Sequence, residues 1–270
     1  MKLLNGAELA SYIKERQAKQ VRALRQADGT APKLAIVVTV DHPAINIYMR
    51  MKSRYGDDVL IDVDIHKIDQ AEAVATIEQL NNDPSVHGII VQLPLADPSQ
   101  TQEIVDLVAP EKDVDALGVN AVFEPATPLA IMWLLAGYNI NLPGKNIALV
   151  GRGRLVGAPL ERLMQASGLE PTVIDSQTKN TSEILQDADI VITATGKPGL
   201  IKESDIKYGA VVVDAGVAGE QGKTVGDLDE AIYQRDDLTI TPKKGGVGPL
   251  TICALFDNVI RAARDTVTRP

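Results

Sequence analysis

Tyr48 and Lys52 stand four positions apart, in a stretch that predicts a helix opened by the turn at Asp41, His42 and Pro43. Residues four apart share one face of a helix, so the phenol and the amine can meet. Desolvation lowers the pKa of a lysine towards neutrality, where the amine can give and take protons. The spacing alone nevertheless favours an ordinary solvated lysine beside a half-buried tyrosine.

A glycine-rich turn forms the second candidate site. The apolar run 146–150 ends at Gly151-Arg152-Gly153, Gly157 follows, and a helical pattern begins. Glycine lets a backbone approach a ligand closely, and the free N–H groups of a helix N-terminus attract phosphate. The spacing G-x-G-x-x-x-G is one residue longer than the usual dinucleotide fingerprint. A dinucleotide site and a plain strand–turn–helix both remain open at this point.

Two opposing signals bear on which dinucleotide such a turn would hold. Asp175 lies 24 positions after Gly151, near the usual offset of the acid that accepts a hydrogen bond from the ribose 2′-hydroxyl of NAD. Arg152 and Ser176 offer a guanidinium and a hydroxyl, which suit the 2′-phosphate of NADP. The sequence leaves the choice open.

Other polar residues follow predicted strands, where open α/β sheets bind their ligands. Gln92 lies near the end of one apolar run, and the Lys-Asp-Val-Asp loop at 112–115 follows a short polar helix. This loop is either a solvated turn or a turn in which one acid faces a lobe junction and the other faces water. The glycine-rich stretch 245–249 predicts backbone freedom immediately before the last helix.

No set of residues predicts a metal site or a nucleophilic triad. His42, His66 and His87 are scattered and lack a carboxylate or cysteine at ligand spacing, so we expect them at the surface or at helix starts. Cys253 lies in an apolar helical stretch, which favours a buried small hydrophobe. The nucleophile pattern G-x-S-x-G is absent from the sequence, which counts against a serine hydrolase.

Composition bounds the class of protein. The chain has 270 residues, 45% hydrophobic and 23% charged, as in ordinary soluble globular proteins. A net charge of -9 argues against nucleic-acid and anionic-membrane partners. A single cysteine excludes an internal disulfide and favours a reducing compartment, and no signal peptide or bilayer-length apolar run is evident. We expect a cytoplasmic protein.

The elements that must position these residues alternate between helix and strand, in two series. The first series has predicted helices at 7–27, 70–82 and 100–108 and predicted strands at 34–40, 60–65 and 88–95. The second has predicted strands at 146–150, 172–175, 189–193, 210–214 and 238–241 and ends in a helix at 250–266, and an apolar helix at 128–139 would connect the two lobes. Such alternation predicts an α/β fold of two lobes, each with a mostly parallel sheet covered on both faces.

Seven short motifs occur in order over nearly the whole chain. They are Tyr48 to Lys52, Val91 to Leu95 (V-Q-L-P-L), Lys112 to Asp115 (K-D-V-D), Ala126 to Pro128, Gly151 to Pro159, Val225 to Asp227 and Thr241 to Thr251. Together they resemble the bifunctional methylenetetrahydrofolate dehydrogenase/methenyltetrahydrofolate cyclohydrolase (FolD-type) family. The last motif is highly specific, and the set is more specific still.

The resemblance implies a substrate lobe, a Rossmann-type dinucleotide-binding lobe and a cleft between them. The final helix would return to the first lobe, which gives domain bounds of 1–120 plus 249–270 for the substrate and 121–248 for the dinucleotide. A homodimer formed through the Rossmann lobes is also implied.

The implied activity belongs to one-carbon metabolism and has two steps. The first is oxidation of 5,10-methylenetetrahydrofolate by hydride transfer to a nicotinamide cofactor. The second is hydrolysis of the methenyl product to 10-formyltetrahydrofolate. NADP is the implied cofactor, with NAD possible, and tetrahydrofolate derivatives are the implied partners.

The resemblance also implies roles for individual residues. Lys52 would be the general acid/base of the hydrolysis, Gln92 its hydrogen-bonding partner, and Asp115 the residue that grips the pterin. The other implied substrate residues are Tyr48, which would stack on the folate, with Leu93, Gly248, Pro249 and Leu250. The implied cofactor residues are Gly151, Arg152, Gly153, Asp175, Ser176, Thr195, Gly196 and Val217, the last on the nicotinamide side.

Three departures from the family pattern leave alternatives open. Ile45 stands where the family has a serine, which removes a hydroxyl near Lys52 and makes a dehydrogenase-only enzyme one alternative. Gly153 replaces a serine and Asp175 a histidine, so the preference for NADP over NAD is unsettled. The other alternative is a non-catalytic folate- or nucleotide-binding module. The complete lysine, glutamine and aspartate set argues against that alternative, since a binder needs no tuned lysine.

Overall fold

The computed structural model describes residues 1–220 and 223–268. The helices in this part are α1 (Gly6–Asp28), α2 (Pro43–Val59), α3 (Ala73–Asn82), α4 (Thr101–Val105), α5 (Ala126–Gly137), α6 (Gly157–Ala166), α7 (Thr181–Asp187) and α8 (Val247–Thr268). The strands are β1 (Lys2–Leu3), β2 (Lys33–Val38), β3 (Asp62–Lys67), β4 (Gly88–Gln92), β5 (Ile147–Val150), β6 (Thr172–Ile174), β7 (Ile190–Thr193), β8 (Val211–Asp214), β9 (Ala218–Glu220), β10 (Lys223–Val225) and β11 (Thr239–Ile240).

Contacts between residues divide the chain into two compact units. The Lys52 unit comprises Ser11–Ala126 and the chain from Ile252 onward, and the Gly151 unit comprises Met1–Ala10 and Thr127–Thr251. The domain bounds predicted from the sequence, 1–120 plus 249–270 and 121–248, stay a prediction, because a unit defined by contacts is not a measured folding domain.

A three-stranded parallel sheet forms the centre of the Lys52 unit, in the order β3-β2-β4. The central strand β2 is apolar and buried from its second residue onward, as a strand covered on both faces must be. In register, Ile36 pairs with Ile65 on one side and with Ile90 on the other. Ile77 and Leu80 of α3 pack against the sheet in one core cluster. The carboxyl ends of β2 and β4 therefore lie side by side.

Helix α2 has a defined start and a defined end. At the start, His42 Nδ1 accepts a hydrogen bond from the Ala44 N–H (3.2 Å), and Pro43 occupies the first turn, where its missing N–H costs nothing. At the end, Leu60 adopts a left-handed conformation (φ 64°), which stops the helix. The predicted helix-start position of His42 is confirmed.

The other two histidines lie on or beside strands. His66 is part of β3, and His87 is only 6% exposed. The Nδ1 atom of His87 accepts a hydrogen bond from the Lys33 N–H at 3.2 Å. Burial lowers the pKa of His87, which keeps the ring neutral. The expected surface or helix-start position is therefore wrong for His87.

A six-stranded parallel sheet runs through the Gly151 unit, in the order β1-β11-β8-β7-β5-β6. Strands β5 and β7 are the continuous apolar runs that the sequence predicts, and they are buried throughout. The chain passes from β5 outward to β6 and then returns across β5 to β7, so the strand order reverses between β5 and β7. Open α/β sheets bind ligands outside the carboxyl ends of strands at such a reversal. The parallel sheets confirm the predicted α/β class.

Several elements differ from their predicted bounds. The sequence does not predict strand β1, because two residues carry no periodicity and only pairing with β11 defines them as a strand. Nor does it predict the short hairpin of β9 and β10. Strand β3 begins two residues after the predicted start, because Leu60 closes α2 before the chain can extend. Helix α4 covers only part of the predicted 100–108.

Helix α8 begins at Val247, three residues before the predicted start. Pro249 lies in the first turn of this helix, a position in which proline removes no hydrogen bond. Of the glycines in 245–249, Gly245 alone has a positive φ (81°). Backbone freedom is thus required at one residue and not along the whole stretch.

Helix α5 is apolar around most of its circumference. Its buried residues include Ala130, Ile131, Leu134 and Leu135, which fit the spacing of a helix packed into a core. Within the described residues, no helix combines the length and the apolar character required to traverse a bilayer.

Lys112 closes the C-terminal end of α3. Its Nζ donates hydrogen bonds to the carbonyl oxygens of Leu80 (3.1 Å), Asn81 (2.8 Å) and Asp83 (2.7 Å). The last carbonyls of a helix lack partners within the helix and carry partial negative charge, so an ammonium there is stabilising. The solvated turn predicted as one alternative for residues 112–115 is therefore wrong at its first residue.

Replacing Lys112 with methionine should destabilise the Lys52 unit, because three carbonyls lose a charged donor while the apolar stem is kept. We expect Lys112→Met to lower the free energy of unfolding by about 1–3 kcal/mol in urea titrations. The matched control is Lys67→Met, which removes an exposed lysine of the same unit. Equal stability of the two variants would show that the helix-end contacts contribute nothing.

Candidate functional site

Lys52 lies on the buried stripe of α2. The buried residues of that helix are Ile45, Met49, Gly56 and Val59. Position 52 completes this series at alternating steps of four and three, which follow one helix face. The Lys52 side chain consequently leaves the helix among core residues and is only partly exposed. Desolvation lowers the pKa of Lys52, and the negative charge of Asp115 opposes that change.

Gln92 provides the hydrogen-bond acceptor for Lys52. The Lys52 Nζ donates to Gln92 Oε1 at 3.0 Å, and Gln92 Nε2 donates to the Leu93 carbonyl at 2.7 Å. Because the amide N–H is used locally, the amide oxygen is turned towards the ammonium. Gln92 is the last residue of β4, so the carboxyl end of a central parallel strand sets the position of the acceptor.

Asp115 is the charged partner of Lys52. Burial raises the pKa of Asp115, and the positive charge of Lys52 lowers it in part. Each ion thus reduces the cost of burying the other. The loop that carries Asp115 is fixed to the sheet by a bridge between Ile89 and Asp113. Asn258 Nδ2 also donates to the Val114 carbonyl at 2.9 Å.

Asp113 stabilises the same loop by accepting hydrogen bonds from its backbone. It is 3% exposed, and its carboxylate accepts hydrogen bonds from the Gly118 N–H (2.8 Å) and the Leu117 N–H (3.4 Å). Burial raises the pKa of Asp113 against these hydrogen bonds. The alternative in which one acid of the loop faces water is therefore wrong. The N–H groups of Leu117 and Gly118 point into the loop, and buried N–H groups need an acceptor, which Asp113 provides.

Tyr48 lies one position off the buried stripe and is 46% exposed. The phenol–amine pair suggested by the spacing is not formed, because the Lys52 ammonium bonds to Gln92 instead. Ile47 and Met51 are also exposed, at 50% and 45%, so this side of α2 is an apolar surface. Ile45 is only 5% exposed and contributes to the core. Substrate positioning by Tyr48 stays a prediction.

The other predicted substrate residues lie in both units. In the Lys52 unit, Leu93 directly follows β4 and packs partly against the core, and its peptide bond to Pro94 is cis. In the Gly151 unit, Gly248, Pro249 and Leu250 form the first turn of α8. Leu250 has no exposed surface, whereas Gly248 is exposed. Contact of these residues with a substrate stays a prediction.

The glycine turn after β5 is tightly closed. Gly151 has a φ of 99°, and a Cβ there would lie 2.8 Å from the Ala194 carbonyl oxygen. At Gly157, the first residue of α6, a Cβ would lie 2.0 Å from the Gly151 carbonyl oxygen. Gly153, by contrast, borders open space. The turn therefore presents free backbone N–H groups at the start of a ten-residue helix, an arrangement that suits a phosphate.

A buried carboxylate fixes the neighbouring turn after β7. Asp227 is fully buried and accepts hydrogen bonds from the Thr193 hydroxyl (2.5 Å), the Thr195 N–H (2.7 Å) and the Lys197 N–H (2.9 Å). Since Ala194 borders Gly151, this turn lies beside the glycine turn at the reversal of strand order. Asp227 thus sets the backbone at one wall of the candidate dinucleotide site.

Two glycines leave space for the carboxylates of Asp214 and Asp227. A Cβ at Gly216 would lie 2.1 Å from the Asp227 carboxylate, and a Cβ at Gly226 would lie 2.1 Å from Asp214 Oδ2. Asp214 also accepts hydrogen bonds from the N–H groups of Gly216 (2.9 Å) and Asp227 (3.1 Å). Desolvation raises the pKa of Asp214 to about 6, and the adjacent Asp227 adds to the rise. We call this arrangement the carboxylate clasp.

Thr195, Gly196 and Val217 meet at the carboxyl ends of β7 and β8. Thr195 Oγ1 accepts a hydrogen bond from the Lys197 N–H at 3.2 Å. Gly196 has a φ of 65°, and a Cβ there would lie 3.3 Å from the Val217 carbonyl oxygen. Val217 is 59% exposed, so its side chain is free to line a ligand site. The roles of the three in cofactor binding stay predictions.

Arg152 and Asp175, the residues with opposing implications for the dinucleotide, are both exposed beside the glycine turn. Arg152 forms an ion pair with Glu161 of α6. Asp175 and Ser176 directly follow β6, the strand next to β5. Sequence reasoning missed Glu161, Asp214 and Asp227 as site residues. Asp227 belongs to the motif at 225–227, but the sequence does not reveal which groups its carboxylate binds.

Comparisons with known proteins cover both units. The family model "Tetrahydrofolate dehydrogenase/cyclohydrolase, catalytic domain" matches residues 4–115, and the NAD(P)-binding domain model of the same name matches residues 125–267. "Bifunctional protein FolD" of Bordetella avium is 36% identical over an alignment 281 positions long, which covers 99% of each chain.

Two solved structures extend this comparison. The bifunctional FolD methylenetetrahydrofolate dehydrogenase/cyclohydrolase of Campylobacter jejuni has a TM-score of 0.92 at 34% identity and covers 98% of this chain and 99% of its own. The dehydrogenase-cyclohydrolase of Trypanosoma brucei, complexed with NADP and an inhibitor, has a TM-score of 0.90 at 27% identity and covers 98% of each chain.

The clasp predicts that Asp227→Asn weakens dinucleotide binding without contact between residue 227 and the ligand. An amide offers one acceptor oxygen where the carboxylate offers two, so part of the turn after β7 is released. Hydrogen bonds to charged groups contribute about 1.5–3 kcal/mol each, so we expect the Kd for NADP to rise at least roughly ten-fold by calorimetry. Asp229→Asn, which alters a surface ion pair with Lys202, is the control, and equal affinities of the two variants would contradict the role of Asp227.

Proposed function

Because the chain belongs to the tetrahydrofolate dehydrogenase/cyclohydrolase family, we propose that it oxidises 5,10-methylenetetrahydrofolate and hydrolyses the methenyl product to 10-formyltetrahydrofolate. The observation that carries this proposal is the partly buried Lys52, whose pKa is lowered by desolvation and whose ammonium is held by Gln92. A solvated surface lysine would have neither feature. The cofactor is a nicotinamide dinucleotide: the matching domain model is NAD(P)-binding, and the Trypanosoma brucei relative was solved with NADP.

The Gly151 unit fits a nicotinamide dinucleotide. The glycine turn and the start of α6 would hold its phosphates, since Gly153 borders open space that a side chain would otherwise fill. Thr195, Gly196 and Val217 would line the nicotinamide end, and the carboxylate clasp fixes the backbone beneath them. A nicotinamide bound there would supply the acceptor for the hydride of the folate methylene carbon.

Lys52 is suited to the hydrolytic step. Water adds to the methenyl carbon, and the neutral amine of Lys52 takes the proton that this water loses. Cleavage of the bond between that carbon and N5 then leaves the formyl group on N10 as the remaining hydroxyl proton is lost to solvent, and the Lys52 ammonium returns its proton to N5. Gln92 accepts a hydrogen bond from the amine in either protonation state, so it fixes the amine's position throughout.

Asp115 and Tyr48 would orient the folate. The Asp115 carboxylate can accept charge-assisted hydrogen bonds from the amino and ring N–H groups of the pterin. The exposed surface of Ile47, Tyr48 and Met51 offers an aromatic ring and apolar neighbours on which a flat heterocycle can stack. The same carboxylate stabilises the protonated form of Lys52, which links substrate binding to proton transfer.

Assembly and location complete the proposal. The family resemblance supports a homodimer formed through the dinucleotide-binding domain. A cytoplasmic location is supported by Cys253, which is buried and is the single cysteine of the sequence, because a chain that forms no internal disulfide suits a reducing compartment.

Replacing Lys52 with methionine tests the hydrolytic role. General acid–base catalysis contributes roughly 10²–10⁴-fold, so Lys52→Met should slow hydrolysis of methenyltetrahydrofolate by at least about 100-fold while the Kd for NADP stays as it was. Lys67→Met is the control. Unchanged hydrolysis in Lys52→Met would contradict the assignment of Lys52 as the general acid/base. If this variant lost oxidation but kept hydrolysis, Lys52 would serve the dehydrogenase and hydrolysis would have a different mechanism.

The pH dependence of hydrolysis tests the charge on Lys52. Because the neutral amine is the base, kcat should rise with pH through a midpoint below the ordinary lysine pKa of about 10.4. Asp115→Asn removes the charge that raises the pKa of Lys52, so it should move this midpoint to lower pH. Measurement at saturating folate separates the effect from weaker substrate binding. A midpoint that moved to higher pH would contradict the pairing.

A further inference from the structure

Arg152 is already bound by a carboxylate of its own chain. Its Nε donates to Glu161 Oε2 at 2.8 Å, and its Nη2 donates to Glu161 Oε1 at 3.3 Å. The Glu161 side chain is 13% exposed, whereas that of Arg152 is 59% exposed. Two parallel N–H donors meeting two carboxylate oxygens form the strongest geometry of this ion pair. The Nε–Nη2 edge of the guanidinium is therefore occupied by Glu161.

Asp175 is oriented by the turn that follows β6. Its Oδ1 accepts hydrogen bonds from the Gln177 N–H (2.9 Å) and the Thr178 hydroxyl (3.0 Å). These bonds lower the pKa of Asp175, and the charge of Arg152 lowers it further. Oδ2 has no hydrogen-bond partner among residues 1–220 and 223–268. Asp175 thus presents one fixed, ionised carboxylate oxygen to solvent.

The position of Asp175 relates this oxygen to the dinucleotide. β6 is the neighbour of β5, and Asp175 follows its carboxyl end, the place from which an acid reaches the adenosine ribose in a dinucleotide-binding sheet. Arg152 forms its ion pair with Glu161, and its charge also lowers the pKa of Asp175, so one positive charge acts on two carboxylates. A 2′-phosphate would add negative charge beside the ionised carboxylate of Asp175.

We propose that Asp175 and Glu161 make this site select NAD over NADP. Asp175 Oδ2 accepts a hydrogen bond from the ribose 2′-hydroxyl, and Glu161 withholds Arg152 from a 2′-phosphate. The exposed hydroxyl of Ser176 serves either nucleotide. The inference rests on the proposed function, because it concerns the cofactor of the same site.

Equilibrium binding of each nucleotide to the full chain, measured by calorimetry without folate, tests the proposal. The Kd for NAD should be at least ten-fold lower than the Kd for NADP. Asp175→Ser should raise the Kd for NAD several-fold and lower that for NADP, which reverses or abolishes the preference. Glu161→Gln should lower the Kd for NADP, because the guanidinium is released. Glu183→Gln, at a distinct helix of the same unit, should keep the ratio of the unaltered chain.

The outcomes separate this inference from the proposed function. Tighter binding of NADP than of NAD by the unaltered chain would overturn the inference, as would an unchanged ratio in Asp175→Ser or a failure to bind either nucleotide. Steady-state oxidation of methylenetetrahydrofolate with each nucleotide gives the second readout. A preference for NAD in binding without any oxidation would support the cofactor choice and contradict the proposed function.

Discussion

A polar or charged group taken out of water must be given partners, and this constraint shapes both units of the chain. Lys52 emerges on an apolar helix stripe and is held by a glutamine at a strand end. Lys112 enters the interior and meets the carbonyls at the end of α3. Asp227 is fully buried and collects donors from the turn after β7. In each case the partners are backbone groups or residues whose position a strand or helix end determines.

The sequence predicts those elements whose signal is local. β2, β5 and β7 are continuous apolar runs, and such a run identifies a buried parallel strand without any knowledge of its neighbours. β1 could not be predicted, because its two residues become a strand only through β11, more than 230 positions away. Likewise, the start of α8 is hidden by glycines and a proline that a first helical turn tolerates.

In the candidate site, too, some features have a local signal in the sequence and others depend on distant residues. The spacing of Tyr48 and Lys52 favoured a solvated lysine, yet the apolar series at 45, 49, 56 and 59 shows that position 52 faces the core. That signal is local and could have been found in the sequence. The partners of Asp227 are mostly N–H groups 30 or more positions away, and no side-chain pattern encodes them. The pairing of Arg152 with Glu161 depends on the shape of the glycine turn, which the spacing of the glycines does not specify.

The carboxylate clasp explains why a glycine and an acid occur as a unit at 226–227. The missing side chain of Gly226 leaves space for the Asp214 carboxylate, and that of Gly216 leaves space for the Asp227 carboxylate. Each acid therefore requires the glycine that lies near the other acid in the sequence. The pKa of Asp214 is raised to about 6 by desolvation. Its ionised form is disfavoured by folding, so stability falls as pH rises from the unfolded pKa of about 3.9 to about 6. At neutral pH the fold therefore carries a cost at the clasp. The clasp fixes the backbone at the carboxyl end of β7, and a fixed backbone there keeps a bound ring in one position.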